Sequence, residues 1–125
     1  KCAKCARTFL LMQGWPSAAP CGRVPVPVGH GESVFVETTE KITVDEARTL
    51  FGSSPGLIVE DDPHAKLYPT PHHVAGKDEV YVGRIRNDSS STRGLLLWLV
   101  SDNLRKGAAL NAVQIAEHAS QRGVS

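Results

Sequence analysis

Arg23 and His30 are the two side chains with the widest chemical reach in this sequence. An arginine presents a planar fork that grips a carboxylate through two parallel hydrogen bonds. A histidine exchanges a proton near neutral pH. The pair stands at the two ends of Arg23-Val24-Pro25-Val26-Pro27-Val28-Gly29-His30, so roughly 20 Å of extended chain at most separates them. Gly29 and Gly31 flank the histidine and permit a bend that would turn it back toward a cleft. On spacing alone, a surface arginine and a loop histidine account for the same residues.

Three further groups are candidates. Cys2-x-x-Cys5 with Cys21 and His30 suggests a zinc set of three thiolates and one imidazole. Cys2 and Cys5 fall inside a helical pattern, however, and the remaining spacings match no compact zinc module. Packed thiols are the plainer account, and no metal is assigned. His72-His73 is an adjacent pair; on a strand the two rings would face opposite ways, and a loop pair is the simpler expectation. Asn103-Leu104-Arg105-Lys106-Gly107-Ala108-Ala109 opens a helix with a polar amide and three small residues. Such a segment lets backbone approach a ligand or another element, although tight helix packing explains it equally on spacing. Arg84, Arg86, Arg93 and Lys106 have no interleaved aromatics and read as solvated charges or partner contacts.

The elements that must position these residues follow from pattern. Residues 1–12 carry Ala3, Ala6, Phe9, Leu10 and Leu11 at helical spacings between basic residues, which predicts an amphipathic helix. The Val-Pro run to Val28 is extended, an edge or irregular strand because proline donates nothing to a ladder. Ser33–Glu37 predicts a strand. Thr43 with Glu46 forms the sequence of a capping box and opens a short helix to about Phe51. Leu57–Glu60 is a short buried strand, 61–71 a proline-rich loop, Glu79–Arg86 a strand, and 87–93 a polar turn. Leu95–Val100 is six apolar residues, the pattern of a central strand. Asp102 then caps a long helix to about Ala119, with an apolar stripe of Ala108, Ala109, Ala112, Val113 and Ala116. This order predicts an α+β fold, a sheet with helices packed on one face.

Composition sets the bounds. The 125 residues hold 14 Lys+Arg against 13 Asp+Glu, a net charge of +1, which gives no electrostatic footprint for nucleic acid or an anionic membrane. A hydrophobic share of 41% supports a packed core rather than disorder. No run approaches the ~20 apolar residues of a membrane-spanning helix. The length suits one domain and is too short for a dinucleotide-binding domain beside a catalytic one. Three cysteines cannot all pair internally, so a reducing, cytoplasmic setting is expected. The first residue is Lys rather than Met, and the chain is read as a processed product or a piece of a longer protein.

Four blocks in collinear order carry a resemblance: C-G-R-V-P-V-P-V-G-H-G-E-S-V (Cys21–Val34), Y-P-T-P (Tyr68–Pro71), A-G-K-D-E-V-Y-V-G-R-I-R (Ala75–Arg86) and L-W-L-V-S-D-N-L-R-K-G-A-A-L-N-A-V-Q-I-A-E (Leu97–Glu117). Together they resemble the C-terminal portion of the bacterial-type aspartate-semialdehyde dehydrogenase family, over nearly the whole chain. The resemblance implies a substrate and dimerisation domain over 1–101, a mixed β-sheet backed by helices like the C-terminal domain of glyceraldehyde-3-phosphate dehydrogenase. It implies that 102–125 is a C-terminal helix packing on a nucleotide-binding domain absent from this chain. It also implies NADPH-dependent reductive dephosphorylation of L-aspartyl 4-phosphate to aspartate 4-semialdehyde, in the biosynthesis of lysine, threonine, methionine and diaminopimelate.

Position by position, the resemblance implies that Arg23 holds the substrate α-carboxylate and that His30 is the acid/base. Lys1 would bind phosphate, and Asn103 would contact the nicotinamide end of NADP. Gly31 stands where the family usually has serine, and residues 2–20 keep the spacing with little identity. Cys21 matches a family cysteine that is not the nucleophile, so the chain by itself is expected to be inactive. The full-length protein is expected to be a homodimer or homotetramer. Two alternatives stay open: an N-acetyl-glutamyl-phosphate reductase-like enzyme, which shares the chemistry but not the S-D-N-L-R-K-G-A-A block, and a non-catalytic oligomerisation or binding module of the same fold.

Overall fold

A computed structural model of the chain describes residues 24–122. The predicted N-terminal helix, Lys1, the cysteines and Arg23 lie outside the described residues. Among the described residues four strands form one sheet: β1 (His30–Glu37), β2 (Leu57–Val59), β3 (Val80–Asn87) and β4 (Gly94–Ser101). Their order across the sheet is β1-β4-β3-β2. β4 runs antiparallel to both neighbours, and β2 runs parallel to β3. The inner position of Leu95–Val100 is as the pattern requires, since a strand apolar at every position is stable only where both faces are covered, and the mixed sheet is as the resemblance implies.

The helices differ from expectation in three respects. α1 (Val44–Gly52) covers one face, packing Ala47 into a core with Val82, Ile85, Leu95 and Leu97. A short α2 (Pro71–Val74) stands where a loop was expected and covers part of the other face, with Val74 packed against Tyr81, Val100 and Trp98. Tyr81 and Val82 are consecutive on a strand and point to opposite sides, so the backing is on both faces rather than one. The local cause of α2 is Thr70-Pro71: the Thr70 hydroxyl accepts from the His73 amide at 3.3 Å, and proline suits the first helical turn. His72 and His73 consequently sit on a helix rather than in a loop.

The Val-Pro run is a further correction. Residues 24–28 form no strand; two prolines leave too few donors for a ladder, and the sheet edge begins only at His30. In β3 the register slips between Gly83 and Arg86. This bulge puts Val82 and Ile85 on the same face although they are three apart, and it leaves Arg84 at φ 52°. Gly83 is obligatory there, since a Cβ would lie 2.4 Å from the Glu60 carbonyl oxygen and 2.5 Å from Pro69 Cδ.

The C-terminal segment starts later than expected. Arg105–Ala109 forms a π-helical turn, in which the Gly107 amide donates to the Asp102 carbonyl five residues back. α3 (Leu110–Gln121) follows. No residue of α3 is buried, and Val113 and Ile115 are 54% and 61% exposed.

Candidate functional site

His30 opens the edge strand β1 and pairs with Ser101 at the end of β4. Its backbone is brought there by Gly29, whose φ of +103° is a conformation that side chains with a Cβ rarely adopt. The bend therefore lies at Gly29. Gly31 is ordinary strand, paired with Val100 and lying against the Trp98 ring.

Asn103 comes from the other side of the same corner. Its Oδ1 accepts a hydrogen bond from the Gly29 amide at 2.9 Å. The segments G-H and S-D-N-L, far apart in sequence, thus meet at one point. Glu32, two residues along the same face of β1, holds the imidazole through Oε1 at 3.1 Å from Nε2. Sequence reasoning did not single out Glu32, although the i,i+2 spacing on a strand was the available signal. The His30 side chain is 54% exposed, so its ring is open to a ligand.

Asp102 anchors the corner. It is 3% exposed, and its carboxylate accepts from the amides of Gly76 at 2.8 Å, Leu104 at 2.8 Å and Arg105 at 3.2 Å. The Gly76 amide foremost, with those of Leu104 and Arg105, holds the carboxyl below the usual aspartate range. Arg105 in turn donates to Asp78, so the loop before β3 and the turn after β4 are joined twice.

The larger clefts lie elsewhere. One of about 340 Å³ is lined by Ser33, Tyr68, Thr70, Arg84, Arg86 and Trp98. It opens on the sheet face of Ser33 and Trp98, which strand alternation sets opposite the His30 and Glu32 face. A second cleft, of about 390 Å³, continues from it past Lys66 and Asp62. Neither includes His30 or Asn103, so cleft size does not mark this corner. The chemistry marks it: an exposed imidazole with a carboxylate partner and a carboxamide at a glycine hinge. Of the four residues expected at the site, the described ones are His30 and Asn103, which meet at this corner; Arg23 and Lys1 fall outside the described residues.

A mixed four-stranded sheet with helices on both faces and an exposed histidine at its edge defines an α+β domain. The family model for "Semialdehyde dehydrogenase, dimerisation domain" matches residues 6–106, and the chain belongs to that family. It is 50% identical over 107 residues to the aspartate-semialdehyde dehydrogenase of Aquifex aeolicus, covering 86% of this chain and 32% of the relative. It is 50% identical over 101 residues to that of Bacillus subtilis, covering 80% and 29%. The crystal structure of aspartate semialdehyde dehydrogenase II from Vibrio cholerae, complexed with ASA, superposes with a TM-score of 0.71 at 44% identity, over 79% of this chain and 29% of that one. The chain thus spans about a third of the length of the curated relatives it matches.

Proposed function

We propose that this chain is the substrate and dimerisation part of an NADP-dependent aspartate-semialdehyde dehydrogenase, acting on L-aspartyl 4-phosphate. One observation carries the reading: the Gly29 amide bonds the Asn103 side chain, so the two blocks expected to hold the acid/base and the cofactor contact converge on one corner. The identity of about half the matched residues with aspartate-semialdehyde dehydrogenases supports the substrate over an N-acetyl-glutamyl phosphate.

The roles follow from chemistry. Arg23 grips the substrate α-carboxylate, as a planar fork does best. Lys1 offers a point charge to the phosphate. His30 takes the proton of the attacking thiol, a cysteine elsewhere in the full-length protein, and protonates the substrate-derived oxygen later. As the thiolate adds to the acyl carbon, the carbon–oxygen bond to phosphate breaks and phosphate leaves with the electron pair. When bound, NADPH would supply a hydride to the thioester carbon; His30 would protonate the resulting oxyanion and take that proton back as the carbon–sulfur bond breaks, returning the thiolate and releasing the aldehyde. Asn103 suits the cofactor's carboxamide: its Oδ1 is taken by Gly29, and among the described residues its Nδ2 has no partner, so it is left as a donor.

Residues 1–101 are assigned to substrate binding and dimerisation, and 102–125, the segment that contains α3, to packing on a nucleotide-binding domain. The unburied α3, with Val113 and Ile115 exposed, supports a partner for that helix. The sheet face bearing Phe35, 51% exposed, supports a subunit contact in a homodimer or homotetramer. The free thiol that this chemistry requires supports a cytoplasmic setting.

The test is NADPH oxidation by the full-length protein carrying this segment, with L-aspartyl 4-phosphate and N-acetyl-glutamyl phosphate offered separately. Turnover of the first is expected, and His30→Ala should lower kcat by about 10²-fold or more while changing substrate KM less. Turnover of the second alone, or a His30→Ala enzyme of unchanged kcat, overturns the reading.

A further inference from the structure

We propose that Asn103 is a positioning residue for His30, acting through the Gly29 peptide, in addition to its cofactor contact. The inference rests on the dehydrogenase reading above. A glycine beside the acid/base is a liability as well as a hinge, because the backbone torsions of glycine are less restrained than those of any other residue type. Here two contacts pin it. On one side Pro71 closes in: a Cβ on Gly29 would lie 2.7 Å from the Pro71 carbonyl oxygen and 2.8 Å from Pro71 Cβ. On the other side Asn103 Oδ1 takes the Gly29 amide proton. Among the described residues, this is the one hydrogen bond that ties residues 24–29 to a distant element.

The grip is itself held. Ser101 pairs with His30 in the β1–β4 ladder. Asp102 fixes the turn by accepting from Leu104 and Arg105, and ties it to Gly76. The stretch Ser101–Asn103 therefore holds His30 from both sides, by the ladder after it and by the carboxamide before it. Glu32 then orients the ring. Releasing the carboxamide frees the peptide that aims the imidazole, and misplacement of a catalytic group by about 1 Å can cost about 10²-fold in rate.

Asn103→Ala and Asn103→Asp separate this role from cofactor binding. Both remove the Nδ2 donor, but aspartate keeps an oxygen acceptor for the Gly29 amide. In the full-length enzyme, Asn103→Ala should lower kcat by about 10- to 100-fold and speed hydrogen exchange of the Gly29 amide. Asn103→Asp should restore the protection and most of the lost kcat, while KM for NADPH rises in both. Equal losses of kcat in the two variants, or unchanged Gly29 exchange in Asn103→Ala, overturn the positioning role while wild-type turnover keeps the functional reading. A wild type that does not reduce aspartyl phosphate overturns that reading and, with it, any catalytic positioning; the exchange rates still report the Asn103–Gly29 bond by itself.

Discussion

At the scale of single residues, the corner around His30 is built by side chains that satisfy backbone amides. Asn103 serves one amide and Asp102 serves three. Asp102 gives a pH prediction with a definite sign. Its carboxyl is depressed in the folded protein, chiefly by the Gly76 amide. Its stabilisation is therefore present above the ordinary aspartate value and lost as pH falls through the lowered folded value. Thermal melts from neutral to acid pH should show a smaller loss of Tm for Asp102→Asn than for the wild type, with the variant already less stable at pH 7. Parallel curves would show that the carboxylate charge does nothing there. The capping role of Asp102 is legible in the sequence, because an aspartate before an apolar-periodic run is an N-terminal signal. Its bond to Gly76 is not legible, since nothing local joins residues 26 apart. The same holds for Asn103 and Gly29: the glycine hinge can be read, but the side chain that closes it cannot.

At the scale of elements, local chemistry was legible wherever it was self-contained. The Thr43 capping box is present in both directions: Thr43 Oγ1 accepts from the Glu46 amide at 3.2 Å, and Glu46 Oε2 accepts from the Thr43 amide at 2.8 Å. Thr43→Ala should cost about 1 kcal/mol, read as a lowered midpoint in urea with an unchanged m value. No change in the midpoint would mean that packing of Ala47 alone holds α1. Arg48 extends this helix to the sheet, donating from Nε and an Nη to Asp61 Oδ2 at 3.0 and 2.9 Å. Two elements escaped the pattern for physical reasons. α2 is one turn long, too short for periodicity, although Thr70-Pro71 is a cap followed by a first-turn proline. The β3 bulge was hidden because Gly83 adds no side chain to the alternation. The three-residue step from Val82 to Ile85 was its only trace. The first turn after β4 is π-helical because the Gly107 amide reaches the Asp102 carbonyl, which delays α3.

At the scale of the whole molecule, the sheet separates two regions. One face meets α1 and ends in the His30 corner; the other carries α2 and the clefts beside Trp98 and Arg84. The α+β class and the inner strand were legible because an all-apolar run has one stable place in a sheet. Coverage of both faces was not legible, because it depends on a helix of four residues. The functional reading requires that Arg23, His30 and Asn103 serve one bound substrate. A crystal structure of the full-length protein with aspartate 4-semialdehyde bound tests this. We expect the Arg23 guanidinium on the ligand's α-carboxylate, with the His30 imidazole about 2.6–3.2 Å from the ligand or its thiol partner and Asn103 still bonded to Gly29. A ligand seated in the Trp98 cleft, with Arg23 and His30 on different sides of the subunit, would contradict the account.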